Sequence, residues 1–252
     1  MPDAPSSQPE PRTASASVSA QRTRAAIPNA LTIARVVLAI LCFVCIGVAE
    51  PRTPEGAGDA ATESAATIYP SFQGSPWIIA ALALFVLAAV TDALDGHLAR
   101  KWHVVSRFGR VMDPFADKLL ILGTFIMLAD PVFWSGMKVP IGTPLGPINL
   151  AGIQAWMAVA ILARELLVTS LRGVYESDGV DFSATFSGKV KMVLQCIAAP
   201  IAMLVLVTQP TPVPRGIAGA LAGVIWLTVI ATLLSGLPYG IRALRTPRGP
   251  VR

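Results

Sequence analysis

The sequence predicts an all-α polytopic membrane protein: a six-transmembrane-helix bundle entered by a short N-terminal juxtamembrane helix. Three observations predict it. Apolar stretches of about twenty residues recur along the 252-residue chain, each long enough to cross a hydrocarbon core about 30 Å thick. Charged residues make up only 14% of the chain, against about 25% in soluble domains. The apolar stretches run on without period-2 alternation, so helices rather than barrel strands satisfy the backbone in lipid.

Taken in order, residues 1–27 form a polar tail rich in Pro, Ser and Ala, with Arg12, Arg22 and Arg24. That composition predicts a disordered cytoplasmic tail. An Arg- and Ser-rich tail with few acids also resembles an organellar transit peptide. It holds no apolar core, which argues against a cleaved secretory signal. Its last part, Ser17–Ala26, predicts the short helix on the membrane surface. The membrane domain covers 28–243, with spans near 30–49, 76–98, 110–130, 150–172, 188–208 and 216–240. A basic tail, 244–252, follows. The 50–75 loop is long and reads as peripheral. Cys42, Cys45 and Cys196 lie inside apolar runs. Cys42-x-x-Cys45 has metal or redox spacing, but thiols in packed helices act as small hydrophobes.

A net charge of +5 does not point to nucleic acid here. Most basic residues flank apolar segments, where they read as topology signals and headgroup contacts with a lipid bilayer. Arg12, Arg22, Arg24, Arg100, Lys101, Arg107, Arg110, Arg242, Arg245, Arg248 and Arg252 fall on one side. Arg52, Lys138 and Arg215 fall on the other. The asymmetry predicts a cell-membrane protein with both termini, the 99–109 turn and the 173–187 loop in the cytoplasm.

The decisive segment runs from Asp92 to Asp117. Asp92, Asp95, Gly96, Ala99 and Arg100 share one helix face at 100° per residue. Gly109, Asp113 and Asp117 share a face of the next helix. A short connection makes the two helices antiparallel neighbours, so their acidic faces converge at the cytoplasmic end. A charge at membrane depth costs about 2.5–3.5 kcal/mol on insertion scales, and packed carboxylates also repel. A divalent cation relieves both problems, and oxygen-only ligands suit Mg²⁺ or Mn²⁺. Gly96 and Ala99 leave room for a ligand near the backbone, and Arg100 offers a planar fork to phosphate. Singly, an acid near a helix end is a solvated cap, and small residues serve helix packing. His97 and His103 have no ligand partner by spacing and read as interfacial residues.

These residues match Asp-x2-Asp-Gly-x2-Ala-Arg-x8-Gly-x3-Asp-x3-Asp at every specified position. The chain thereby resembles the CDP-alcohol phosphotransferases. The resemblance implies six transmembrane helices, a homodimer and a site open to the cytoplasm. It implies that Asp92, Asp95, Asp113 and Asp117 surround one or two divalent metals, with Asp117 as general base. It places the cytidine diphosphate portion near Asp92, Gly96, Arg100, Ser106 and Gly109, with Asn29, Thr32 and Arg35 bordering the nucleotide. An N-cap followed by interfacial anchoring is the plainer reading of Asn29, Thr32 and Arg35.

Other segments narrow the resemblance. Ile27–Arg35, Val111–Lys118, Ala163–Arg172 and Gly188–Gln195 together look like the branch that transfers a phosphatidyl group from CDP-diacylglycerol to glycerol 3-phosphate. Met192 departs from the threonine frequent there, and the first span lacks a proline frequent after its arginine. Residue chemistry also favours an anionic acceptor. Arg164 and Arg172 are eight apart, on nearly one helix face, and Lys189 and Lys191 open the next helix on the same side. Such a cluster suits the phosphate of sn-glycerol 3-phosphate. As alternatives, Arg172, Lys189 and Lys191 read as positive-inside anchors, and Glu165 as a neutralising neighbour of Arg164. Inositol phosphate or phosphatidylglycerol would be other acceptors on the same fold. An intramembrane prenyltransferase carries two separate acidic motifs, and one is visible here. A cation transporter leaves Arg100, Gly109 and the basic cluster unexplained.

Overall fold

The computed structural model describes residues 11–52, 71–102, 107–133, 149–177, 186–210 and 213–245, with side chains at 30–52, 71–92, 112, 115–130, 132–133, 149–175, 188–210 and 213–241. Among these residues the regular structure is helical. The helices are α1 (Pro11–Val48), α2 (Pro76–Trp102), α3 (Arg107–Leu128), α4 (Ala155–Ser177), α5 (Phe186–Thr208), α6 (Arg215–Leu234) and α7 (Leu237–Arg245), with a 3-10 turn at Pro131–Phe133. No strand forms among the described residues; Arg52 and Ser71 make an isolated antiparallel bridge.

A helix lies over each of the six apolar stretches. Among the described residues three stretches are long and apolar enough to cross a membrane: Ala30–Val48, Gly188–Thr208 and Arg215–Ile241. Pro76–Asp92 is a shorter apolar helix. Helix α4 lies five residues later than the 150–172 stretch at both ends, and two larger differences from the sequence reading occur at α1 and α6. Helix α1 begins at Pro11, so helix replaces the disordered tail over residues 11–27 and runs unbroken into the first span. Ala, Arg and Gln favour helix, and Pro is well placed at a first helical position. The stretch 216–240 is two helices, because the chain turns at Ser235 and Gly236. There the Gly236 N–H turns back to the Leu233 carbonyl at 3.0 Å. Pro238 then falls in the first turn of α7, where its missing N–H is harmless.

The bundle is apolar outside and partly polar inside. Ala39, Cys42 and Ile46 of α1 recur at helical spacing on the buried face, and so do Ile78, Ala81, Phe85 and Ala88 of α2. Val37, Ile40, Leu41 and Val44 occupy the outer face of α1, as Trp226, Leu227 and Ile230 do on α6. The buried set includes Thr32, Arg35, Thr124, Arg164, Glu165, Lys191, Gln195, Thr228 and Thr232. Lipid is as apolar as leucine, so helices gain little by hiding leucine from it, and close packing and polar contacts hold them together instead. Helix α1 packs on α2 and α3, α5 on α6 and α2, and α4 on α6, α3 and α7. The cysteines are free thiols; Cys42 is buried with its Sγ donating to the Ala81 carbonyl at 3.4 Å.

One glycine fixes how closely α1 approaches α3. A Cβ on Gly123 would stand 2.2 Å from Cζ of the Phe43 ring. Gly123→Ala should therefore destabilise the protein by about 1–3 kcal/mol, read as a lower thermal midpoint in detergent. In a Phe43→Leu background the same substitution should lose most of its effect. Equal losses in both backgrounds would show that the ring is not the constraint.

Candidate active site at one end of the bundle

The start of the α1 span, the end of α2 and the first half of α3 meet at Arg35. Its side chain is 1% exposed. Nη1 lies 2.5 Å from Oδ1 of Asp92 and 2.7 Å from Oδ1 of Asp117. One guanidinium nitrogen thus joins three helices. The two carboxylates keep 33% of their side-chain surface, so they remain open to a ligand on the side away from Arg35. Thr32, one turn before Arg35, is equally buried. Arg35 and Thr32, read from the sequence as bordering the nucleotide, are both buried, and Arg35 lies against the two aspartates.

Asp95, Gly96, Ala99, Arg100, Gly109 and Asp113 fall on α2 and α3, and Asn29 on α1, but their side chains lie outside those described. Ser106 and His103 lie outside the described residues altogether. Of the four aspartates, Asp92 and Asp117 are thus the pair whose convergence is visible. Their two Oδ1 atoms already close on a single positive centre. An oxygen-only pair held so near together fits a hard divalent cation such as Mg²⁺ or Mn²⁺.

A second cluster joins α4, α5 and the end of α6. Oε1 of Glu165 accepts from Arg164 Nη1 at 3.1 Å and also from Lys191 Nζ. Arg164 Nη2 donates to the Ser235 hydroxyl at 2.9 Å, and that hydroxyl donates to the Thr232 carbonyl at 2.7 Å. All three charged side chains are buried. Two cations and one carboxylate leave one positive charge in a low-dielectric place, where it is costly without an anion. Arg164 Nε has no hydrogen-bond partner. Gln195 extends the polar set by donating to the Thr232 hydroxyl at 3.1 Å.

The two clusters share a cavity of about 650 Å³. Asp117 stands on its wall together with Arg164, Arg172, Lys189 and Lys191, the four basic residues singled out in the sequence. Lys118 adds a fifth cation, and Glu165 a second carboxylate. Lys118 Nζ donates to the Thr169 hydroxyl, which donates to the Glu165 carbonyl at 2.7 Å. Tyr239 of α7 closes another part of the wall. Sequence reasoning assigned no site role to Lys118, Glu165, Thr169, Gln195, Ser235 or Tyr239. The available signal was polarity within apolar stretches, which marks function in membrane proteins.

Removing Arg35 should leave two close carboxylates without their shared cation. Arg35→Met should therefore lose about 3 kcal/mol of stability, seen as a lower thermal midpoint in metal-free detergent. Added Mg²⁺ or Mn²⁺ should restore part of the loss. An unchanged midpoint would show that the contact does not hold the three helices.

Residues 25–234 match the model of a protein family described as CDP-alcohol phosphatidyltransferase. The chain is similar to a Bacillus subtilis protein named CDP-diacylglycerol–glycerol-3-phosphate 3-phosphatidyltransferase, with 34% identity over 161 residues, covering 64% of this chain and 72% of that one. A Rickettsia felis protein of the same name is 32% identical over 157 residues, covering 62% and 74%. A Mycobacterium tuberculosis protein named probable phosphatidylglycerophosphate synthase is 34% identical over 167 residues, covering 66% and 67%. The family match frames Arg35, the Asp92–Asp117 run and the basic cavity together, and the chain belongs to the CDP-alcohol phosphatidyltransferase family.

Proposed function

We propose that the chain transfers the phosphatidyl group of CDP-diacylglycerol to sn-glycerol 3-phosphate, giving phosphatidylglycerophosphate and CMP. The observation that carries this reading is the opening of Asp117 onto a cavity lined by five cations and two carboxylates. An acceptor that brings its own phosphate balances that excess charge; an uncharged alcohol does not. The names of the curated relatives point to the same pair of substrates.

In this reading the donor enters from the bilayer and its headgroup lies at the aspartates. Asn29, Gly96, Ala99, Arg100, Ser106 and Gly109 surround the cytidine diphosphate, with Thr32 and Arg35 beneath it. Asp92, Asp95, Asp113 and Asp117 would hold Mg²⁺ or Mn²⁺, which supplies neutralisation of the diphosphate and of the leaving CMP. Arg164, Arg172, Lys189 and Lys191 hold the acceptor phosphate. Asp117 takes the proton of the acceptor's primary hydroxyl as that oxygen attacks the β-phosphorus. The new P–O bond forms as the bond to CMP breaks. Arg35 keeps Asp92 and Asp117 in place through this step. Positioning and charge neutralisation supply most of the rate, as in other phosphoryl transfers.

The same reading has α1–α6 spanning the cell membrane of a homodimer, with the site and both termini in the cytoplasm. The outward-facing apolar surfaces of α1 and α6 support the membrane placement. The Lys and Arg asymmetry along the chain supports the orientation.

Asp117→Asn should abolish CMP release in a protein that still folds, with a midpoint lowered by the weakened Arg35 contact; near-normal turnover would remove Asp117 from its role. Purified protein with CDP-diacylglycerol and Mg²⁺ or Mn²⁺ should release CMP when given glycerol 3-phosphate, and not with serine. Release with inositol phosphate or phosphatidylglycerol, but not glycerol 3-phosphate, would overturn the acceptor assignment.

A further inference from the structure

Resting on that acceptor reading, we infer that Lys118 joins Arg164, Arg172, Lys189 and Lys191 in binding the acceptor phosphate, as the cation next to Asp117 on the cavity wall. The five cations of the cavity are not equivalent. Arg164 and Lys191 both point at one oxygen of Glu165, so their charge is partly offset before any substrate arrives. Arg172 lies eight residues beyond Arg164, about 12 Å further along α4. Lys189 is exposed at the start of α5. Lys118 stands beside the reacting carboxylate in the chain, on the same cavity wall.

The partner of Lys118 is a neutral hydroxyl. Thr169 Oγ1 accepts from Nζ and passes its own proton to the Glu165 carbonyl at 2.7 Å. That chain of donors fixes the direction of the Thr169 lone pair and so the rotamer of Lys118. It leaves the ammonium charge uncancelled by Thr169, with two of its three N–H groups for other acceptors. Thr169 belongs to α4 and Lys118 to α3, so the contact registers the acceptor side of the cavity against the base. Successive residues on a helix diverge by about 100°. Asp117 and Lys118 therefore flank the space between them, one for a hydroxyl and one for an anion.

Steady-state kinetics of the full chain in detergent–lipid micelles test this. Lys118→Met should raise KM for glycerol 3-phosphate about tenfold, the loss of one charge-assisted hydrogen bond. KM for CDP-diacylglycerol and kcat at saturating acceptor should stay within about threefold. Lys118→Arg should recover most of the acceptor affinity. An unchanged KM for glycerol 3-phosphate in an active Lys118→Met protein overturns the inference, and so does an equal rise in KM for both substrates. Wild-type protein gives a second measurement that needs no variant to fold. Glycerol 3-phosphate should slow modification of Lys118 by an amine-reactive reagent, read by peptide mass spectrometry, and glycerol should not. No protection, or equal protection by glycerol, overturns the inference. Failure of the wild type to release CMP with glycerol 3-phosphate is a different result: it overturns the acceptor reading, and Lys118 falls with it.

Discussion

A guanidinium nitrogen shared by two carboxylates is the contact on which the rest of this bundle depends. Arg35, Asp92 and Asp117 come from three helices and meet within 2.7 Å of one atom. Each charge alone would be costly at membrane depth, and two carboxylates side by side would be worse. Joined, they fix the rotation of α1, α2 and α3 about their axes. That rotation decides which face of each helix meets lipid. The apolar outer faces of α1 and α2 and their small-residue inner faces follow from it.

The second polar cluster solves a different problem. Glu165 is shared by two cations, and the surplus charge faces a cavity rather than apolar packing. The first cluster, with two carboxylates on one guanidinium, carries excess negative charge, whereas the second carries excess positive charge. Asp117 belongs to the first and lies on the wall of the cavity lined by the second.

Much of this was legible in the sequence, for identifiable reasons. Long apolar runs announce helices whatever their neighbours are, so the positions of α2 to α5 were readable. Four aspartates at helical spacing, with Gly96, Gly109 and Arg100, carried the family resemblance, and the family match spans them; of their side chains, those of Asp92 and Asp117 are among the described ones. The ion pairs of Arg35 had no mark in the sequence, because its partner Asp117 is 82 residues away and its own neighbours suggest only a nucleotide border or an interfacial anchor. Glu165 was seen beside Arg164, yet its second cation, Lys191, comes from another helix, 26 residues on. Leucines flank Ser235 and Gly236 on both sides, so the apolar run reads as one span, and Gly236 with Pro238 is the mark of the break between α6 and α7. The polar composition of residues 11–27 hid a helix, because polarity measures affinity for water and not the capacity to coil.

That break has a consequence for how the chain tolerates change. Gly236 lies in a turn, far along the sequence from the aspartates, and belongs to no motif. Yet a Cβ there would stand 3.2 Å from Cγ of Arg164, and Arg164 reaches past it to Ser235. The arginine is thus held in a slot whose floor is the absence of a side chain. Enlarging residue 236 would push on Arg164 and, through it, on the cavity wall from behind. This turn and the shape of the cavity are therefore mechanically coupled, and a comparison of cavity-lining residues alone would miss it.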